Sequence, residues 1–114
     1  MLKVIEKPWG KEEILELNNS YMLKRLTMFE NCRCSLQYHN HKCETIYILS
    51  GELRILQGKD KDNLKEKIYT KGDVITIEPL VIHRMEGVTE SVYLEASTPD
   101  VDDTVRVQDD YNRK

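Results

Sequence analysis

The chain has 114 residues, 39% apolar and 32% charged, and carries a net charge of −3. That length gives a single domain over residues 1–114 with room for a real core. The composition excludes a basic nucleic-acid footprint, no apolar run approaches the ~18 residues of a membrane span, and Met1-Leu2-Lys3-Val4-Ile5-Glu6 is no signal peptide. The expected compartment is the cytosol, and an odd count of three cysteines agrees with reducing conditions. Cys32, Cys34 and Cys43 contain no Cys-x-x-Cys pair and read as small, buried or half-buried apolar residues.

In chain order, apolar, β-branched or aromatic runs occupy 13–17, 21–29, 32–39, 45–49, 52–56, 66–69, 73–77 and 91–96. Turn signals separate them: Trp9-Gly10-Lys11, Asn18-Asn19-Ser20, Ser50-Gly51, the charged stretch 58–63, Lys71-Gly72 and Glu86-Gly87. Runs this short, without a helical period, predict an all-β antiparallel sandwich or barrel. The tail 98–114 is acidic, but Val101, Val105, Val107 and Tyr111 give it apolar surface to bury. Two readings stand open: a solvated terminus, or a segment folded back on the barrel.

Chemistry concentrates in Ser35-Leu36-Gln37-Tyr38-His39-Asn40-His41-Lys42-Cys43-Glu44. Gln37, His39 and His41 fall at every second position, so a regular strand would put them on one face. Glu44 follows, and His83 lies far along the chain. Each residue alone is more often a hydrogen-bonding core or surface group than a ligand. Together, all three histidines of the chain fall in the two segments that a shared site would need. Nitrogen and oxygen donors of this kind suit a divalent transition metal: Zn, Mn, Fe, Ni or Co.

Several segments in order carry a family resemblance: Lys7-Pro8-Trp9-Gly10, Lys24-Arg25-Leu26-Thr27, Glu44-Thr45-Ile46-Tyr47-Ile48-Leu49-Ser50-Gly51, Gly72-Asp73-Val74, Ile82-His83-Arg84-Met85-Glu86 and Asp102-Asp103-Thr104-Val105-Arg106. The chain resembles a small single-domain cupin, specifically the isomerase domain of type II mannose-6-phosphate isomerases fused to mannose-1-phosphate guanylyltransferases. The resemblance implies a double-stranded β-helix, the cupin jelly-roll barrel. It also implies a ligand register through the pattern G-x5-H-x-H-x(3,4)-E-x6-G. Placing the ligand pair at Gln37 and His39 leaves four residues before Glu44 and six before Gly51, with Asn31 at the first glycine. Placing it at His39 and His41 leaves only two before Glu44. The implied metal ligands are Gln37, His39, Glu44 and His83, with His41 as the alternative to Gln37. Glu44 lies an odd number of residues from His39, so a break within Asn40–Cys43 must bring its carboxylate round.

The second half of the pattern, G-x5-P-x-G-x2-H, departs from the family, with Glu78 at the proline and Leu80 at the glycine. Leucine lacks glycine's access to positive φ, so a different turn is expected before His83. Asn112 stands where the family has another glycine, a mild change because asparagine tolerates the left-handed region. The implied activity is aldose–ketose interconversion of a sugar phosphate, as in mannose-6-phosphate isomerase. Arg84 and Lys42 are then the catalytic candidates, by charge stabilisation or proton transfer, or else plain surface charges. A non-catalytic cupin binding a sugar or metabolite is the alternative, and an iron-dependent oxygenase the second. The expected partners are a small-molecule sugar or sugar phosphate and, from strand edges and the resemblance, a second copy in a homodimer.

Overall fold

A computed structural model of the protein describes residues 2–111, and every regular element in it is a strand. In order they are β1 (Lys3–Lys7), β2 (Gly10–Leu17), β3 (Met22–Met28), β4 (Leu36–Tyr38), β5 (Glu44–Ser50) and β6 (Leu53–Gly58). They continue with β7 (Lys65–Tyr69), β8 (Val74–Ile77), β9 (Ile82–Gly87), β10 (Ser91–Ser97) and β11 (Val105–Gln108). One sheet has the order β1-β2-β3-β10-β5-β8 and the other β11-β4-β9-β6-β7, with every pairing antiparallel. This is the jelly-roll barrel of a cupin. No helix among the described residues is long and apolar enough to cross a membrane.

Alternation along the strands builds the interior. Ile46 and Ile48 of β5, Tyr93 of β10, Met85 of β9, Leu53 and Ile55 of β6 and Leu26 of β3 form one buried apolar cluster. Fully burying a side chain of this size contributes about 1.5–3 kcal/mol. Two positions further along the same inward rows, the residues turn polar: Glu44 on β5, Glu95 on β10, His83 on β9 and Lys24 on β3. The barrel is therefore apolar at one end and charged at the other. Cys34 belongs to the apolar cluster, Cys32 packs against it, and Cys43 is half-buried; all three are free thiols.

Three strands depart from the sequence reading. β1, β9 and β11 were not among the expected runs, and the expected strand 32–39 keeps only β4, preceded by an isolated Arg33–Glu86 bridge. The turn at Ser50-Gly51 needs its glycine: φ is +82°, and a Cβ would lie 2.2 Å from the Glu90 carbonyl oxygen. The turn before His83 corrects the expectation set by Leu80. Leu80 itself takes a positive φ of 71°, and its amide donates to the His39 carbonyl at 2.7 Å. The glycine-like conformation is kept without the glycine.

The acidic tail folds back over 98–111. β11 pairs with β4, Arg33 makes a two-pronged contact with Asp110 (2.6 and 3.0 Å), and the Tyr111 hydroxyl donates to the Arg33 carbonyl at 3.2 Å. Met1 and residues 112–114, including Asn112, lie outside the described residues.

Candidate metal centre

β4 ends at Tyr38 and β5 begins at Glu44, so the chain leaves the sheet between them. Within that break, the amides of Asn40, His41 and Lys42 all donate to the Asp103 carboxylate. The turn brings His39 and Glu44 to face the same interior. β9 supplies His83, whose Cα lies opposite Gln37 in the β4–β9 register. His39, Glu44 and His83 then present ligand atoms within 4.8 Å of one another, and all three residues are buried.

Their hydrogen bonds fix the chemistry. His39 Nδ1 lies 2.6 Å from the Asp103 carbonyl oxygen and His83 Nδ1 lies 2.9 Å from that of Val81. A carbonyl can only accept, so the proton of each neutral ring sits on Nδ1 and Nε2 keeps a lone pair. Both Nε2 atoms are buried without a hydrogen-bond partner. They converge on Glu44 Oε1, His83 Nε2 at 3.1 Å and His39 Nε2 at 3.8 Å, close but not aligned as hydrogen bonds. Burial pushes His39 below its ordinary pKa, which keeps its ring neutral. Two lone pairs facing a carboxylate across a buried gap repel unless a cation lies between them. The donor set therefore fits a divalent metal held by nitrogen and oxygen, each histidine oriented by a carbonyl from behind.

Gln37 lines the same cavity, its Oε1 accepting from Ser35 Oγ at 2.8 Å. His41 does not join the cluster: its side chain is exposed and only its amide is engaged, by Asp103. Lys42 turns inward. Its ammonium lies 3.4 Å from Glu44 and 2.9 Å from Glu95. Burial alone would push the Lys42 pKa down, but the Glu95 and Glu44 carboxylates outweigh it and hold it above its ordinary value. Burial likewise acts to raise Glu44, yet the Lys42 ammonium beside it holds it well below the usual carboxylate range. Glu95 moves the other way, raised by burial and by the Glu44 charge.

Arg84 is placed elsewhere. His83 and Met85 face the interior, whereas Arg84 lies on the opposite face of β9, buried under the tail. Its guanidinium donates to the Cys34 carbonyl at 2.9 Å and the Gln108 carbonyl at 3.3 Å, and it does not line the cavity. Sequence reasoning passed over Glu95 and Arg106, both of which do line it. A signal for Glu95 existed: it is in phase with Tyr93 within the apolar run 92–96 and lies opposite Lys24. Arg106 lies opposite Gln37 on β11, a strand hidden in the acidic tail. The cavity, of about 580 Å³, is lined by these charged residues and by Leu26, Met85 and Tyr93.

Comparison with known proteins places this geometry in a family. The mannose-1-phosphate guanylyltransferase ManC of Salmonella typhimurium is 27% identical over 123 residues, covering 99% of this chain but 24% of its own length. The chain thus spans about a quarter of the length of the curated relatives it matches. Among solved structures, the capsular polysaccharide assembling protein CapF of Staphylococcus aureus superposes with a TM-score of 0.81 at 18% identity, over 95% of this chain and 34% of that one. Oxalate decarboxylase OxdC of Bacillus subtilis, a protein with Mn(II) centres, superposes with a TM-score of 0.78 at 22% identity, over 92% and 30%. These two likenesses show the fold alone. The sequence matches the family described as mannose-6-phosphate isomerase C-terminal over residues 1–109, and the chain belongs to that family.

Proposed function

We propose that this cupin binds a divalent transition metal through His39, Glu44 and His83, with Gln37 as the fourth protein ligand, and isomerises a sugar phosphate of the mannose 6-phosphate type. The observation that carries the metal is the pair of buried Nε2 lone pairs converging on one carboxylate. A metal held there supplies Lewis-acid polarisation of the sugar oxygens. The Mn(II) centres of a protein with the same fold support the choice of metal class.

The chain's own residues do the rest. Aldose–ketose interconversion moves one proton between C1 and C2 and another between the oxygens they carry. Lys42 and Glu95, 2.9 Å apart in the cavity, form a buried pair able to serve both transfers. Lys42 is kept protonated, so it serves as the counter-charge and hydrogen-bond donor to an enediolate oxygen while the hydroxyl proton passes between the two oxygens. Glu95, whose pKa is raised, is the carboxylate that takes the carbon-bound proton. Arg84 holds the tail against β9 and stays outside the reaction.

The test is metal analysis of the purified chain, then conversion of mannose 6-phosphate to fructose 6-phosphate with and without chelator. Turnover should need the metal and fall at least about 100-fold in Lys42→Met, within the usual range for removing a donor to a developing oxyanion. Undiminished turnover in His83→Ala sinks the metal-dependent mechanism. A second reading, a sugar-binding cupin without chemistry, is favoured by one observation: Lys42 and Glu95 already satisfy one another at 2.9 Å, as a purely structural ion pair does. Stabilisation by sugar phosphate with no turnover selects it.

A further inference from the structure

Asp103 sits in the segment between β10 and β11 and grips the ligand-bearing turn in two ways at once. Its carboxylate accepts three successive amides: Asn40 N at 3.0 Å to Oδ1, then His41 N at 2.6 Å and Lys42 N at 2.9 Å to Oδ2. Asn40 Nδ2 adds a longer contact at 3.3 Å. Successive amides aimed at one anion fix the backbone that carries them. Here that backbone is three of the four residues linking His39 to Glu44, the break that lets two residues of opposite strand parity face one cavity; the fourth amide, Cys43 N, donates to Thr98 Oγ1 at 3.2 Å.

The second grip is the main chain. The Asp103 carbonyl lies 2.6 Å from His39 Nδ1, and Thr104 Oγ1 stands further off at 3.5 Å. That carbonyl selects the tautomer that leaves the Nε2 lone pair pointing into the cavity. Nothing local to the turn repeats either contact, so both depend on where the C-terminal segment is held.

Resting on the reading that the site takes a divalent metal, we infer that Asp103 is its positioning residue. A single residue of the C-terminal segment sets both the curvature of the His39–Glu44 turn and the tautomer of His39. It thereby sets the affinity for the metal without touching it. Removing outer partners of metal-ligating histidines typically weakens binding about 10–100-fold.

The experiment titrates the full chain with Co(II), following the visible spectrum, in wild type, Asp103→Asn and Asp60→Asn. Asp60 also caps a backbone amide (Asp62 N, 3.0 Å) but lies in an exposed turn and does not line the cavity. Asp103→Asn keeps the size of the side chain but loses its charge and turns a donor toward the amides. Its Co(II) affinity should fall about 10–100-fold with altered band intensities, while Asp60→Asn matches wild type. Unchanged affinity and spectrum in a folded Asp103→Asn overturn the inference and leave the metal reading standing. Wild type that binds no Co(II) overturns both. Should Asp103→Asn fail to fold, the ring ¹⁵N shifts of His39 in wild type decide: a proton on Nδ1 supports the inference, and one on Nε2 overturns it.

Discussion

At the scale of single residues, the chain tolerates a costly conformation where its family pattern has glycine. Leu80 takes a φ of 71° and leaves its side chain 60% exposed, so it gains little burial in return. A left-handed conformation costs a β-carbon residue about 1–2 kcal/mol. What holds it is the hydrogen bond its amide donates to the His39 carbonyl at 2.7 Å, which ties the turn before His83 to the residue just past β4. Asn31, at the first glycine of the pattern, takes a similar φ of 61° at lower cost, because asparagine visits that region readily. Leu80→Gly should therefore stabilise the fold. Relief of strain exceeds glycine's added unfolded-state entropy, about 0.5–1 kcal/mol, leaving a gain of up to about 1 kcal/mol. Thermal unfolding reads this as a rise in Tm, and a fall in Tm would show that no strain is stored at Leu80.

At the scale of elements, β9 explains both what the sequence disclosed and what it concealed. Its alternation carries His83, Met85 and Gly87 inward, yet Arg84 is also buried, because β11 and the residues after it cover the outer face. A strand buried on both faces and filled with His, Arg and Glu has no apolar signature, so Ile82–Gly87 did not read as one. Edge strand β1 was lost to its lysines and glutamate, and β11 to the acidic tail around it. The inward rows of β3, β5, β6 and β10 were legible because hydrophobic burial wrote them into the sequence. The candidate centre was legible in part. His39, Glu44 and His83 stood out by residue type, but Glu95 and Arg106 were ordinary charges until a sheet turned them inward. Neighbourhood in sequence also misplaced Arg84, since adjacent strand residues face opposite ways. Arg84→Met should lower stability by about 2–4 kcal/mol, the cost of leaving the Cys34 and Gln108 carbonyls without a charged donor. Its Co(II) affinity per folded molecule should hold. A variant with normal stability and lost turnover would return Arg84 to the chemistry.

At the scale of the molecule, depressed carboxylates in the C-terminal segment and at Glu44 respond to pH in one sense and Glu95 in the other. Asp110 is held below its ordinary value of 3.8 mainly by Arg33, and Asp103 well below it by the three amides of the turn. Near pH 4 the folded chain then binds fewer protons at these groups than the unfolded chain does. Their stabilisation is complete above 3.8 and is lost as pH falls through the lower folded values. Glu95 runs the other way: raised above its ordinary 4.5 by burial and Glu44, it favours folding below that value and loses its contribution as pH rises through its folded pKa. Lys42, held above 10.5, keeps its contribution up to strongly alkaline pH. The acid limb of stability should therefore be shared between the contacts that fasten the tail and the buried Glu44. In urea unfolding of the metal-free protein, the midpoint should drop as pH falls from about 4 toward 2, the range set by depressed carboxylates. Asp110→Asn should lower the neutral-pH midpoint and shrink that acid drop, because the asparagine has no proton to gain. If the variant loses midpoint equally at every pH, the Arg33–Asp110 pair holds the tail by geometry alone and the acid limb lies with the buried Glu44.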